Sequence, residues 1–279
     1  MDLRPFAPQH LSIDGHRLAY VRSGSGEPLI LIHGLTTSSF IWDNLLPILS
    51  VRHDVIAIDL LGTGDSDRPV SADCSISAHA DRLVSFIDEL GLEKIHLVGH
   101  DIGGGVAQIF SVRNAGRVAT LALVNTVGYD YWPVQPIIAL RTPFLRQLAM
   151  ASLDIGMLRL VIRRAVHRRE RITPEIFEHI RNEIAVPSSR RAFLNSTRCL
   201  NNSDLTVIND DLKELPMPVL IVRGERDLYL SPEISARLHR EIPGSRLVKV
   251  PDAGHFIQLD EPRLLSSTIL DHIHEHRHE

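Results

Sequence analysis

Three residues have the types and spacing that chemistry needs. Asp101 lies in Gly99-His100-Asp101-Ile102-Gly103, Asp227 in Gly224-Glu225-Arg226-Asp227, and His255 in Gly254-His255-Phe256. Glycines two residues either side of Asp101 let a strand and a helix approach closely, so a carboxylate on the turn between them can stand alone. A helix starting there also aims its unpaired N–H groups at that carboxylate. By itself the five-residue pattern fits an aspartate capping a helix equally well. The partners argue for chemistry: an acid and then a histidine follow in chain order, each just after an apolar run. His33-Gly34 ends a further apolar run. The N–H of Leu35 in that loop and the N–H of Ile102 would form an oxyanion-binding pair.

The elements that must position these residues read as alternating strands and helices. Gln9 to Tyr20 reads as a hairpin turning at Asp14-Gly15. Pro28 to Ile32, Asp54 to Ile58, Ile95 to Val98 and Val118 to Val124 are short apolar runs of the kind buried in a parallel sheet. Leu83, Phe86, Ile87 and Leu90 share one face of a helix over Ser77 to Leu90. A second helix is expected from Gly104 to Asn114. Residues 129–212 show helical patterns only. The α/β rhythm returns with strands at Val219 to Val222 and Leu247 to Val250, and a last helix from Glu261 to His276. The expected class is α/β: a mostly parallel central sheet with helices on both faces, a core of residues 1–128 and 213–279, and an inserted helical cap over 129–212. Asp101, Asp227 and His255 then fall at carboxyl ends of strands, where open α/β sheets place their sites.

The 279 residues suit one large domain, and the net charge of -4 argues against nucleic acid as a partner. No stretch approaches the roughly 20 apolar residues of a membrane span. The first residues lack the apolar run of a secretory signal, so a cytoplasmic location and no membrane partner are expected. Cys74 and Cys199 read as reduced thiols. The histidines of the tail, His272 to His278, read as a solvated end and not a metal site, because metals need fixed geometry. Gly62-Thr63-Gly64 lacks the ending of a phosphate loop. No cofactor and no metal are expected; the partner is a small-molecule substrate, and a homodimer is left open.

Over nearly its whole length the sequence resembles the α/β-hydrolase superfamily. Gly-His-Asp-x-Gly-Gly resembles the branch holding epoxide hydrolases and haloalkane dehalogenases, which use an aspartate nucleophile. The resemblance implies an α/β-hydrolase fold and a triad of Asp101, Asp227 and His255. Two departures stand out. Both families usually carry Trp after the nucleophile, where this chain has Ile102; dehalogenases also commonly have Asn or Trp after His-Gly, where it has Leu35. Epoxide hydrolases use two cap tyrosines as proton donors. Here Tyr129 and Tyr131 stand at the cap entry, and His167 and His179 read as surface residues.

A carboxylate attacking an acyl carbon gives an anhydride and gains little, whereas attack at an sp³ carbon gives an ordinary ester that water can cleave. The expected function is hydrolysis of a small hydrophobic substrate through an Asp101 ester, with His255 activating water and Asp227 orienting His255. Epoxide opening ranks ahead of dehalogenation because it needs no halide cradle. A carboxylesterase or lactonase, or a weakly catalytic ligand-binding member of the fold, are the alternatives. Trp42, Tyr129, Tyr131, Trp132 and Phe144 are the pocket candidates, and Met150, Met157, Phe177 and Phe193 the apolar lid. Arg159, Arg163, Arg164, Arg168, Arg169 and Arg171 read first as a solvated helix face paired with Glu170 and Glu175, and second as a reader of anionic substrates.

Overall fold

The computed structural model describes residues 6–132, 137–152, 157–184 and 186–276. Its eight strands are β1 Gln9–Ile13, β2 His16–Ser23, β3 Glu27–Ile32, β4 His53–Ile58, β5 Ile95–Asp101, β6 Val118–Thr126, β7 Val219–Gly224 and β8 Arg246–Val250. They form one sheet in the order β1-β2-β4-β3-β5-β6-β7-β8. β1 pairs antiparallel with β2, and β2 antiparallel with β4; every later pairing is parallel. The central strands are buried on both faces, all six residues of β4 and of β7 included. That is why they read as continuous apolar runs instead of alternating ones. The fold is the α/β-hydrolase fold.

The helices are α1 Leu46–Leu49, α2 Ile76–Glu89, α3 Ile102–Arg113, α4 Ile137–Arg141, α5 Pro143–Ser152, α6 Leu158–Ala165, α7 Pro174–Ile184, α8 Pro187–Cys199, α9 Ser203–Thr206, α10 Pro232–Glu241, α11 Ile257–Asp260 and α12 Pro262–Glu275. Ser75 caps α2, accepting from Ala78 N at 3.2 Å. α4 to α9 lie in the chain between β6 and β7. A half-buried ion pair ties this helical segment to the core: Glu183 of α7 meets Arg68 at 3.2 Å and accepts from Gly64 N at 3.1 Å. No helix among the described residues is long and apolar enough to cross a membrane.

Boundaries moved where the turn is tight. α3 begins at Ile102, directly after Asp101, and so includes Gly103, which the sequence pattern left outside it. β7 runs on to Gly224, carrying Arg223 into the sheet. α11 escapes a periodic reading because it is four residues long. His272 is not part of a solvated tail: it is buried on α12, and burial lowers its pKa to about 4. His278 lies outside the described residues. Cys74 and Cys199 are free thiols.

Two glycines set how closely α3 packs on the sheet. A Cβ on Gly103 would stand 2.5 Å from the Ile32 carbonyl oxygen, and one on Gly99 would stand 2.7 Å from Gly104 Cα. Both obstacles are backbone and cannot swing away. Gly103→Ala is therefore expected to destabilise the fold by about 3 kcal/mol in chemical denaturation. Gly116→Ala, where nothing lies within 4 Å of the added Cβ, should stay within about 0.5 kcal/mol. Equal stabilities for the two variants would contradict this account of the packing.

Candidate active site

Asp101 ends β5 and precedes α3 with φ 53 and ψ -121, a backbone that a non-glycine residue adopts only under strain. Its Oδ2 accepts from Leu35 N at 3.0 Å. Gly34 makes room for this contact, since a Cβ there would stand 2.7 Å from Asp101 Oδ2. The loop bearing Leu35 is held by His33, whose Nε2 accepts from Leu60 N at 3.0 Å while its Nδ1 lies 2.7 Å from Gly34 O. Thr63, in the glycine-flanked loop, adds its hydroxyl to the same His33 Nε2 at 3.1 Å. Burial pushes the Asp101 carboxyl above its ordinary range; the His255 charge and the N–H groups of Leu35 and Ile102 oppose that rise.

Asp227 and His255 meet after β7 and β8. His255 Nδ1 lies 3.0 Å from Asp227 Oδ2, which leaves Nε2 as the nitrogen not engaged by Asp227. The Asp227 side chain is wholly buried and fully satisfied: Oδ1 accepts from Tyr229 N at 2.8 Å and Leu230 N at 3.2 Å, and Oδ2 also accepts from Arg223 at 3.1 Å. Burial opposes its charge, but the His255 and Arg223 charges with the Tyr229 N–H hold its carboxyl below the ordinary range. Burial likewise opposes a charged His255, and the charge and hydrogen bond of Asp227, with the Asp101 charge, raise its pKa above 6.5 nonetheless.

Several supports escaped the sequence pattern. Asn125, near the end of β6, donates to Gly254 O and His255 O, both at 2.9 Å, and accepts from Gly224 N at 3.0 Å. Asp260 of α11 accepts from Gly254 N at 2.8 Å and His167 N at 2.9 Å, joining the histidine loop to the end of the α6 connection. His100, buried and held well below its ordinary pKa by burial first, has Nε2 3.0 Å from His255 O. Arg223 had a signal, a charge ending an apolar run four residues before Asp227. Asn125 and Asp260 had none, because their partners are far away in sequence.

Asp101 and His255 share the wall of one cavity of about 440 Å³, with Leu35 and Ile102 beside them. Of the five pocket candidates, only Trp132 lines it. Trp42 is fully buried in the core. Tyr129 is buried beneath the Arg237 guanidinium, 3.9 Å from its ring, and Tyr131 leans on Tyr129 with ring centres 6.5 Å apart. Phe144 is 69% exposed. Helix periodicity marks Phe144 as apolar, but not which side of α5 faces inward. Of the apolar lid, Met150, Met157 and Phe193 line the cavity and Phe177 does not. The arginines divide: Arg168 pairs with Glu261, Arg159 lies over the Phe177 ring at 5.1 Å, and Arg164 is in the cavity wall. His179 stacks on Phe40 at 4.8 Å and His167 sits 3.8 Å from Asp252; neither lines the cavity.

Two wall residues bring polar groups. The Trp132 indole N–H is buried with no hydrogen-bond partner among the described residues. The Tyr229 hydroxyl donates to Val161 O at 2.7 Å, and its ring packs 5.4 Å from His255. Among the described residues a further grouping, Glu27, His53 and His96, brings ligand-type atoms within 4.8 Å of one another. It stands at the opposite ends of the strands from Asp101, where β3, β4 and β5 begin. There His96 pairs with Glu27 at 3.7 Å and lies 2.9 Å from the Thr120 hydroxyl.

The profile of the family described as alpha/beta hydrolase fold matches residues 27–262. The chain is 29% identical to haloalkane dehalogenase 2 of Mycobacterium tuberculosis, over 96% of each chain. It is 26% identical to a soluble epoxide hydrolase of a Corynebacterium species, covering 92% of this chain and 94% of the other. An alpha/beta hydrolase fold protein from Burkholderia ambifaria superposes with a TM-score of 0.86 at 26% identity, over 94% of this chain and 97% of that one.

The electrostatics make a titration prediction. A folded-state pKa raised above 6.5 means that His255 adds stability fully below that pH and loses it as the pH climbs through the raised value. NMR titration of the His255 ring should give a midpoint above 6.5 in the wild type. Asp227→Asn removes the neighbouring charge and should move the midpoint down. An unmoved midpoint would contradict the assignment of its cause.

Proposed function

We propose, from the premise that the chain belongs to the α/β-hydrolase family and is a hydrolase of that fold related to haloalkane dehalogenases and epoxide hydrolases, that it cleaves a small hydrophobic substrate at an sp³ carbon through an ester of Asp101. The observation carrying this reading is Asp101 itself: a carboxylate on the elbow, one oxygen held by Leu35 N–H, in the same cavity wall as His255. The oxygen not held by Leu35 attacks the carbon, and the bond to the leaving group breaks with its electron pair. His255 Nε2 then takes a proton from water, and the hydroxide adds to the Asp101 carboxyl carbon. The N–H groups of Leu35 and Ile102 hold the oxyanion. Its collapse expels the alcohol, which takes the proton back from His255; the carboxyl left on Asp101 contains a water oxygen and gives up the second water proton to solvent, which restores the carboxylate. Asp227 keeps the imidazole oriented and stabilises its charged form. Residues 129–212 serve as a cap, closing an apolar cavity that suits a hydrophobic substrate.

This chemistry is tested by trapping its intermediate. In His255→Ala the ester should form and persist, so intact mass after a panel of primary bromoalkanes and terminal epoxides should rise by the alkyl group, with the adduct on Asp101. No adduct from any panel member would refute the mechanism.

The wall also bears on the leaving group. An indole N–H can hydrogen-bond a departing anion but does not surrender its proton, so the buried, unpartnered Trp132 N–H would suit a halide better than an epoxide oxygen, provided the ring turns to bring it to the cavity. Tyr129 and Tyr131 lie outside the cavity wall, and the Tyr229 phenol proton is engaged by Val161 O. This donor set favours dehalogenation over the epoxide opening that sequence alone ranked first. Trp132→Phe should lower kcat/KM for a bromoalkane about tenfold, the size of one lost hydrogen bond to a charged group. An equal loss on an epoxide would assign Trp132 to packing instead.

A further inference from the structure

Among the described residues, three acidic or basic side chains line an otherwise largely apolar cavity: Asp101, His255 and Arg164. The first two are taken up by the proposed chemistry; Arg164 is not. It lies on α6, whose Leu158, Ile162 and Ala165 are buried, while Arg164 itself is exposed to solvent. Arg164 therefore stands where the wall meets water, at the mouth. The position of that turn is set by the Tyr229 hydroxyl, bonded to Val161 O at 2.7 Å. Arg164 is close enough for its charge to oppose the burial that pushes the Tyr229 hydroxyl up to about 12.

Several arginines of this face and of the adjoining core have an acidic partner, although Arg163, Arg169 and Arg171, like Arg164, form no ion pair among the described residues. Arg168 pairs with Glu261, Arg181 with Glu178 at 3.0 Å, and Arg68 with Glu183 at 3.2 Å. Among the described residues no acidic side chain forms an ion pair with Arg164. A solvated helix face explains a charge pointing into water, but it gives no reason for one lining a substrate cavity. The beginning of the wall at Met157, Leu160 and Leu228 is exposed and apolar. An entering molecule meets greasy surface and one cation at the mouth, and a carboxylate at the far chemistry.

We propose that Arg164 is a specificity-determining residue that holds the carboxylate of an amphiphilic substrate at the mouth, so that its apolar chain extends inward and presents the reacting carbon to Asp101. The inference rests on the proposed function for its orientation, since the reactive end must be the one remote from the acid. A planar guanidinium matches a carboxylate in two parallel hydrogen bonds, which an alcohol or an ester cannot supply. The reverse orientation would set two carboxylates together in an apolar site, which Coulomb repulsion disfavours.

The test uses ligands that cannot react. Octanoate and 1-octanol have the same chain length and no leaving group, so their binding does not depend on whether Asp101 forms an ester. Calorimetric titration of the intact wild-type protein should show octanoate binding about fivefold more tightly than octanol, the size of a partly exposed charge-assisted pair. Arg164→Met should erase that preference and leave octanol binding unchanged. Arg164→Lys should keep part of it, and raised salt should weaken octanoate alone. No acid preference in the wild type, or a loss in Arg164→Met that falls equally on both ligands, would overturn the inference. Failure to trap an adduct on Asp101 would instead overturn the proposed chemistry, and the two outcomes are read separately.

Discussion

The carboxylate of Asp101 stands clear because backbone, not side chain, crowds the turn that carries it. Gly99, Gly103 and Gly34 each take a place where a Cβ would strike backbone or the carboxylate itself. The positive φ of Asp101 costs roughly 1–3 kcal/mol, which the packing of α3 on β3 and β5 must exceed. In exchange, the N–H of Leu35 holds one carboxylate oxygen and the first N–H of α3 also favours the charged carboxylate. Any side chain at those glycines would push α3 outward and separate the two donors. The constraint therefore joins fold to chemistry at one turn, and the loop held by His33 and Thr63 extends it to the second donor.

The acid and the histidine depend on a different kind of support. Asp227 is a buried carboxylate, a group that is costly unless every lone pair is used. Two backbone N–H groups, one imidazole and one guanidinium use them. Arg223 goes further, donating also to the carbonyls of Asp227 and Leu230, so the loop after β7 is fixed by the same side chain that balances its charge. Asn125 and Asp260 do the equivalent work for the His255 loop through backbone groups. The geometry is thus carried by polar side chains anchored in strands and in α11, not by the loops that display Asp227 and His255.

Such long-range supports are what a single sequence hides. Asp101, Asp227 and His255 were legible because each follows an apolar strand and because their order is distinctive. The strands were legible from hydrophobic runs, although β7 seemed to stop early since an arginine looks like the end of a buried strand. Asn125 gave no sign, being one more polar residue near a strand end whose partners lie about 130 positions away. The cavity wall was least legible. Aromatic residues near the entry to the helical segment were natural candidates, yet Tyr129 turns to Arg237 and Phe144 faces water. Inward orientation there depends on how short helices pack, and their periodicity covers too few turns to fix a face.

Within the proposed mechanism the charges of the site also give a reason for its timing. His255 has a raised pKa partly because the Asp101 carboxylate is near. In the resting site the two charges favour each other, so the His255 charge opposes the burial that raises the Asp101 pKa. Alkylation removes the negative charge from Asp101. One of the influences holding the proton on His255 disappears at that moment, while burial, which favours the neutral ring, remains. The imidazole becomes a readier base when an ester exists for water to attack, and not before. Asp227 stays ionised throughout, so the ring keeps its orientation as its charge changes. A serine in place of Asp101 would carry no resting charge to lose, and the coupling would be absent. The carboxylate thus serves as nucleophile in the first step and, by losing its charge, prepares the base for the second.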